Sequence, residues 1–352
     1  MSTISTYNYN KTFKLENGKK LRKLEIAYQT YGKLNAKKDN VIWACHALTA
    51  NSDVLDWWKG LFGNNALFNP DEHFIICANV LGSHYGSTSP LSTNPVTGQP
   101  YYLAFPEFTI RDLVATHRLL AAHLGIATVK VLIGGSLGGQ QALEWAIADN
   151  NAIENLILVA TNAVHSPWGI AFNESQRLAI TTDRSFYAQK PDGGLKGLKV
   201  ARSIALLSYR TYDAYSATQL ESVNDKTGGF RASSYQNYQG EKLCKRFNAY
   251  SYWYLSKAMD SHNVSRNRNS VTEALAFVKA NTLVIGIDND VLFPLAEQEF
   301  LAKNIPGAEF QSLKSAYGHD GFLIETDALT NVIGNFLKES VNKKIIKLHK
   351  TA

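Results

Sequence analysis

The sequence predicts an α/β fold in which a central, mostly parallel sheet is interrupted by a helical insertion before its last strands. Five short apolar runs, rich in β-branched residues, alternate with helical patterns, as is typical of βαβ units. Between the fourth and fifth runs, the chain has long helical patterns and no convincing strand. The runs cover residues 41–45, 74–78, 129–133, 156–160 and 283–287.

The insertion divides the chain into three segments. We expect residues 1–165 to form the first part of an α/β core and residues 166–280 to form a helical lid. Residues 281–352 then complete the core and end in a helix. The insertion is rich in Tyr, Ser, Asn and Arg, and the strand pattern resumes at Thr282. Since ligands of open α/β sheets bind at the carboxyl ends of the strands, a cap over that edge is the natural place for it.

Two local patterns add detail to the core. An apolar stripe predicts a helix over residues 112–124, and the glycine that follows is its expected stop. Near the N-terminus, residues 12–15 and 24–31 flank Asn17-Gly18, a turn dipeptide. This arrangement predicts an antiparallel hairpin.

Composition limits the classes of function. The 352 residues are 45% hydrophobic and 19% charged, as in ordinary globular proteins. No stretch approaches the roughly 18 consecutive apolar residues of a membrane helix. The net charge of +6 is dispersed, so no basic patch predicts a nucleic-acid partner. Three scattered cysteines predict reduced thiols and no structural metal. We expect a soluble, cytoplasmic protein that binds neither a membrane nor nucleic acid.

A candidate nucleophile follows the third apolar run. Residues 134–138 read Gly-Gly-Ser-Leu-Gly and match G-x-S-x-G, between a predicted strand and a helical run over residues 140–148. This strand–turn–helix context distinguishes the motif from a glycine-rich turn without chemistry. The strained turn leaves no room for side chains two positions before or after the serine and exposes its hydroxyl. The helix N-terminus favours developing negative charge. We predict that Ser136 is a nucleophile.

His319 is the candidate base. In this fold class the triad runs Ser, then Asp or Glu, then His along the chain. Three of the nine histidines lie far enough downstream. His262 is in the polar insertion and His349 in the basic tail, whereas His319 lies in a glycine-bracketed loop after a predicted last strand, residues 310–313. The alternative is a solvated surface histidine.

The acid is expected at the end of the preceding strand, where two aspartates compete. We prefer Asp290, because the later residue of a strand-ending turn reaches further into the crevice. Asp288 is then expected to brace that turn. His319 takes the proton of Ser136, while the carboxylate fixes the tautomer of the imidazole and stabilises its charged form.

Two backbone amides are the predicted oxyanion donors. One belongs to Leu137, directly after the nucleophile, and the other to Leu48, in the turn after residues 41–45. His46, in the same turn, is interpreted as a structural hydrogen-bonding residue. Cys45 is expected to be a small core residue.

Arg202 projects from an otherwise apolar helical stripe. A guanidinium on such a face needs a carboxylate, which comes either from a ligand or from an internal ion pair with Asp or Glu. Arg177 is a second, lower-ranked candidate for the same role. The stripe is formed by Leu195, Leu198, Arg202, Ala205, Leu206 and Tyr209.

Taken together, these residues and motifs resemble the homoserine O-acetyltransferase family of the α/β-hydrolase fold. The similarity extends over roughly residues 10–335, including the insertion, and is far more specific than the nucleophile motif alone. The matching segments are residues 45–49, 57–58, 79–82, 86–88, 94–98, 105–106, 109–112, 134–139, 172–174, 201–202, 209–210, 288–294 and 317–320.

The resemblance implies a ping-pong reaction of methionine biosynthesis. Ser136 takes an acetyl group from acetyl-CoA, and the hydroxyl of L-homoserine removes it. By the same resemblance, Arg202 binds the carboxylate of homoserine with Tyr209 beside it, and Asp320 holds its ammonium group. It also implies that acetyl-CoA is a substrate, that no cofactor is permanently bound, and that the protein is a homodimer built through the insertion.

Several alternatives stay open at this point. Relatives that use succinyl donors share the triad, and serine is a second possible acceptor. A serine hydrolase would use the same triad on esters or amides. An inert α/β scaffold is disfavoured because every triad member is present in order.

Overall fold

The centre of the molecule is an eight-stranded sheet with the strand order β1-β4-β6-β5-β7-β8-β9-β10. The computed structural model describes residues 3–223 and 225–351, with side chains up to residue 340. The strands from β6 to β10 are parallel, whereas β1 and β4 are antiparallel at one edge. The strands are β1 Ser5–Tyr9, β2 Phe13–Lys14, β3 Lys20–Leu21, β4 Leu24–Tyr31, β5 Val41–Cys45, β6 Phe74–Ala78, β7 Val129–Gly135, β8 Ile153–Val159, β9 Asn281–Ile287 and β10 Glu309–Leu313.

All five predicted apolar runs are strands of this sheet, and the predicted last strand is β10. The reason is visible in β5, where every side chain is buried. Val41, Trp43 and Cys45 face one core cluster, whereas Ile42 and Ala44 face the other. Helices cover both faces of the sheet, so its central strands are continuously apolar.

The predicted N-terminal hairpin is partly wrong. The turn at Asn17-Gly18 is present, but it joins β2 to β3, a pair that is only two residues long on each side. The strand predicted over residues 24–31 is β4, which pairs with β1 and β6 instead. The backbone N–H of Leu15 donates to the Lys19 carbonyl and closes the turn. The hairpin does not extend beyond Leu21, because β4 pairs with two strands of the main sheet.

The predicted helix over residues 112–124 is α2, which begins two residues earlier. Thr109 and Asp112 form a capping box there, in which each accepts a hydrogen bond from the backbone of the other. In the described residues the helices are α1 Val54–Trp57, α2 Ile110–His123, α3 Leu137–Ala148, α4 Pro167–Thr182, α5 Leu195–Tyr209, α6 Tyr212–Gln219, α7 Arg231–Cys244, α8 Ala249–Asp260, α9 Val271–Ala276, α10 Leu295–Asn304, α11 Gly321–Ile324 and α12 Thr326–Thr351.

Helices α4 to α9 follow one another between β8 and β9. Arg246 donates to the backbone carbonyl of Thr49, and the Asn248 amide lies 3.0 Å from the His84 ring. These contacts connect the helical segment to the loops that follow β5 and β6. It therefore contacts the carboxyl edge of the sheet, where the predicted catalytic residues also lie. None of the described helices is both long and apolar enough to span a bilayer. The side chains of the basic tail, residues 343–350, and of its His349 lie outside the described residues.

Candidate active site

A cavity of about 390 Å³ opens at the carboxyl edge of the sheet. Two predicted site residues are buried next to residues that line this cavity. Leu137 follows Ser136 in the chain, and Asp290 contacts His319. A larger cavity of about 680 Å³ lies between the N-terminal strands and α2 and α3, and it contains none of the predicted site residues. The 390 Å³ cavity, called the catalytic cavity below, is lined by six predicted site residues: Leu48, Ser136, Arg202, Tyr209, His319 and Asp320.

The turn that contains Ser136 has the strain that the motif predicts. Ser136 has φ +56° and ψ −125° and stands between β7 and α3, a conformation that costs free energy outside glycine. A Cβ on Gly134 would lie 2.2 Å from the carbonyl oxygen of Gly138, and one on Gly138 would lie 2.0 Å from the Cys45 carbonyl oxygen. The predicted lack of room on both sides of the serine is thus confirmed.

The histidine and the aspartate are in direct contact. His319 Nδ1 lies 2.7 Å from Asp290 Oδ2. The other carboxylate oxygen of Asp290 accepts the backbone N–H groups of Leu292 and Phe293, at 2.8 and 2.9 Å. Because these bonds fix the carboxylate, and the carboxylate holds Nδ1, the Nε2 nitrogen is the one available for proton exchange.

Aromatic rings hold the imidazole of His319 in place. Phe293 stacks on it with centroids 5.1 Å apart, and Phe322 meets it edge-on at 5.3 Å. Phe322 is itself anchored, because its carbonyl accepts a hydrogen bond from the Trp58 indole at 2.9 Å. His319 is only 3% exposed. The ring orientation is therefore set by packing as well as by Asp290.

The turn after β5 has the structural histidine that the sequence predicts. The backbone N–H of Val80 donates to His46 Nε2 at 3.1 Å, and His46 Nδ1 lies 2.8 Å from the carbonyl of Ala47. Burial lowers the pKa of His46 to about 4, so the ring stays neutral at pH 7. This contact holds the turn from which Leu48 enters the catalytic cavity.

Arg202 and Tyr209 lie side by side in the catalytic cavity. The guanidinium is 5.4 Å from the centre of the Tyr209 ring, within cation–π range. Burial raises the pKa of Tyr209, so the phenol keeps its proton. None of the ion pairs formed by the described residues includes Arg202. Of the two explanations for this cation, an internal ion pair is therefore excluded within the described residues.

Arg177 has the internal partners that Arg202 lacks. Its guanidinium contacts Glu174 at 2.6 Å and Asp260 at 2.5 Å, and it also donates to Ser256. Arg177 does not line the catalytic cavity. It ties α4 to α8, and its charge is matched by these internal partners.

Asp320 has a partner that the sequence did not predict. Arg210 Nε lies 2.9 Å from Asp320 Oδ2, and Arg210 also lies over the ring of Tyr317. Thr211 donates to the carbonyl of Ala316 beside this pair. The end of α5 is therefore fastened to the loop that carries His319. Only one carboxylate oxygen of Asp320 is used by this ion pair.

The comparisons identify the family. A sequence profile described as the alpha/beta hydrolase fold matches residues 40–326. A homoserine O-acetyltransferase of Cyclobacterium marinum is 47% identical over 326 residues, covering 93% of this chain and 93% of the relative. The chain belongs to the homoserine O-acetyltransferase family. The resemblance predicted from the sequence motifs is thereby confirmed, and with it the α/β-hydrolase fold.

One solved structure agrees with membership of the homoserine O-acetyltransferase family, and another shows the same fold. The crystal structure of a homoserine O-acetyltransferase from Bacillus anthracis is 27% identical, with a TM-score of 0.87, covering 96% of this chain and 98% of that one. An acetylester hydrolase from Corynebacterium glutamicum is 24% identical, with a TM-score of 0.83, covering 96% and 95%. The second similarity shows the fold alone.

Three cations at or beside the catalytic cavity were not predicted from the sequence. Arg210 follows Tyr209 directly, but nothing in the sequence pairs it with a residue 110 positions later. Lys242 and Arg246 line the catalytic cavity, and two cations four positions apart in the insertion are a signal that was available. No three His, Cys, Asp or Glu side chains in the described chain are grouped to hold a metal ion.

Proposed function

We propose that this protein transfers an acetyl group from acetyl-CoA to the hydroxyl of L-homoserine through Ser136. The observation that carries the proposal is the position of Arg202. It is a cation without a carboxylate partner among the described residues, and it lines the same cavity as Ser136 and His319. A simple esterase has no need for such a cation, whereas an amino-acid acceptor brings the missing carboxylate.

In the first half-reaction, His319 accepts the proton of Ser136 while the serine oxygen attacks the thioester carbonyl carbon. The carbon–sulfur bond then breaks, and His319 returns the proton to the departing sulfur. Free coenzyme A leaves, and an acetyl ester remains on Ser136. Contact with Asp290 supports this role because it stabilises the charged imidazole between the two proton transfers.

In the second half-reaction, the homoserine hydroxyl takes the place of water. His319 removes the hydroxyl proton as that oxygen attacks the acetyl ester, and then gives the proton to Ser136 as the ester bond breaks. The products are O-acetylhomoserine and the free enzyme. No permanently bound cofactor or metal is required for either half-reaction.

Both tetrahedral intermediates carry a negative oxygen. We assign its stabilisation to the backbone amides of Leu137 and Leu48. Leu137 is the first residue of α3, so its N–H has no partner within the helix and lies at the positive end of the helix dipole. The hydrogen bonds of His46 support the second donor, since they fix the turn that contains Leu48.

We assign acceptor recognition to three residues around the same cavity. Arg202 binds the homoserine carboxylate, Tyr209 packs beside that guanidinium, and Asp320 binds the ammonium group. The ion pair with Arg210 leaves the second oxygen of Asp320 available. A positive and a negative side chain that line the same cavity suit a zwitterion and disfavour an uncharged ester.

The experiment measures thiol release from acetyl-CoA and succinyl-CoA, each with homoserine, with serine or with neither. The proposal predicts sustained release only with acetyl-CoA plus homoserine, and none in Ser136→Ala. Sustained release without any acceptor identifies a hydrolase instead. Preference for succinyl-CoA or serine identifies one of the other acyltransferases.

We further propose that residues 166–280 form a lid and that two lids meet in a homodimer. Large apolar side chains exposed on this segment support the second point: Leu207 is 59%, Tyr212 85% and Leu220 73% exposed. Light scattering tests the proposed homodimer, and a monomer at micromolar concentration contradicts it.

We also propose a cytoplasmic location, which suits the free thiols of all three cysteines.

A further inference from the structure

Two cations at the open side of the catalytic cavity are not used by the reaction as derived above. Lys242 and Arg246 both line the cavity, and both are exposed to solvent. No ion pair of the described residues includes either of them. We propose that Lys242 and Arg246 bind the phosphate groups of the acyl-CoA donor. This inference rests on the proposed function and names the donor-binding part of the same site.

Arg246 is held in position before any ligand arrives. One of its terminal nitrogens donates to the Thr49 carbonyl at 2.5 Å and to the Tyr85 hydroxyl at 2.8 Å. The other donates to the Thr49 hydroxyl at 3.4 Å. A guanidinium has five N–H groups, so these three bonds leave two N–H groups without a hydrogen bond among the described residues. A fixed, partly free guanidinium is suited to a phosphate.

Lys242 supplies a second positive charge close by. It lies in the last turn of α7, four residues before Arg246, and its exposed side chain lines the same cavity. A lysine at this place also suits the negative end of the helix dipole, and the experiment below separates that role from phosphate binding. Asp56 is an exposed acidic residue that also lines the cavity, and no ion pair of the described residues joins it to either cation.

The chemistry of the donor suits cations at the solvent-exposed part of the cavity. In an acyl-CoA, a long pantetheine arm separates the thioester from the pyrophosphate, and the 3′-phosphate lies further still. With the thioester carbon at Ser136, the phosphates have to lie at the open side of a cavity of about 390 Å³. The acceptor is small, and Arg202 and Asp320 already match both of its charges. The outer cations are thus assigned to the donor.

The test compares three donors, all with homoserine at saturation: acetyl-CoA, acetyl-3′-dephospho-CoA and acetyl-pantetheine. The variants are Lys242→Ala, Arg246→Gln and their combination. Lys245→Ala is the matched control, because Lys245 is an exposed neighbour that does not line the cavity. We expect Lys242→Ala and Arg246→Gln each to lower kcat/KM for acetyl-CoA by on the order of tenfold, mainly by raising KM.

The same variants should leave kcat/KM for acetyl-pantetheine within about twofold of wild type, since that donor has no phosphate. The dephospho donor distinguishes the 3′-phosphate from the pyrophosphate as the group that the cations bind. Equal losses of kcat/KM with all three donors overturn the proposal. They would show that Arg246 acts by holding Thr49 in position. The proposal is also overturned if the ratio of kcat/KM for acetyl-CoA to kcat/KM for acetyl-pantetheine is the same in the variants as in wild type. Homoserine acetylation by the wild type would in that case still support the proposed function. Absence of any acetyl transfer from acetyl-CoA by the wild type contradicts the proposed function itself.

Discussion

His319 Nδ1 lies 2.7 Å from a carboxylate oxygen of Asp290, although the two residues are 29 positions apart. Two backbone N–H groups bind the other oxygen of Asp290. Asp288, the competing candidate, stands at the end of β9, where its backbone N–H donates to the carbonyl of Leu313. The geometry therefore distinguishes the two aspartates that the sequence left open.

The first prediction compares these two aspartates. We expect Asp290→Asn to lower kcat by up to about 10⁴-fold, because the amide no longer fixes the tautomer of His319 or stabilises its charge. Asp288→Asn is the control and should stay within about threefold of wild type. Thiol release under saturating substrates measures both. A larger loss in the Asp288 variant would transfer the acid role to that residue.

The second prediction concerns the carboxylate of the acceptor. In Arg202→Ala we expect the KM for homoserine to rise by at least about tenfold, because a charge-assisted hydrogen bond is lost. The burst of thiol release that accompanies acylation of Ser136 should persist, since Arg202 is assigned to the acceptor and not to the donor. Lys196→Ala, an exposed cation at the start of the same helix, is the control. Loss of the burst in the Arg202 variant contradicts the assignment.

The third prediction concerns the ammonium group of the acceptor. Asp320→Asn should lower kcat/KM for homoserine by on the order of tenfold. The same variant should leave kcat/KM for 4-hydroxybutyrate, which has no ammonium group, unchanged. Arg210→Gln is the control, because it breaks the same ion pair but keeps the carboxylate. If the Arg210 variant reproduces the whole loss, the ion pair and not the carboxylate is what matters.

The fourth prediction concerns stability and pH. Burial raises the pKa of Glu297 from 4.5 to about 7, while Asn162 donates to its carboxylate at 2.9 Å. The folded state therefore holds this proton more tightly than the unfolded chain. The contribution of Glu297 to stability is greatest below pH 4.5 and is lost as the pH rises to about 7.

We expect Glu297→Gln to remove this dependence, so that the variant gains about 1–2 kcal/mol relative to wild type between pH 5 and pH 8; the figure is reduced because the side chain is partly solvated. Urea denaturation at both pH values measures the difference. Glu299→Gln, an exposed neighbour on α10, should show no such change. A constant difference between wild type and Glu297→Gln at the two pH values contradicts the raised pKa.

Much of this arrangement was predictable from the sequence. Continuous apolar runs are required where both faces of a strand are buried, so the central strands were found from residue type alone. The strained turn at Ser136 was predicted because such a turn after a strand demands glycines at fixed spacing. His319 was found because the order of the triad along the chain left few candidates.

Other features depend on contacts between distant segments, which local patterns do not encode. Arg210 was given no role because its partner, Asp320, comes from a different part of the chain. The predicted pairing of the N-terminal hairpin was wrong because β4 pairs with two strands of the main sheet. These pairings outweigh the local turn signal. The choice between Arg202 and Arg177 likewise required their acidic neighbours to be known.

The most direct test of the account is to trap the acyl-enzyme. Wild-type protein mixed with acetyl-CoA in the absence of homoserine should gain the mass of one acetyl group on the peptide that contains Ser136. Addition of homoserine should remove that group and yield O-acetylhomoserine, and Ser136→Ala should never carry it. An acetyl group on another residue contradicts the account, and so does product formation by Ser136→Ala.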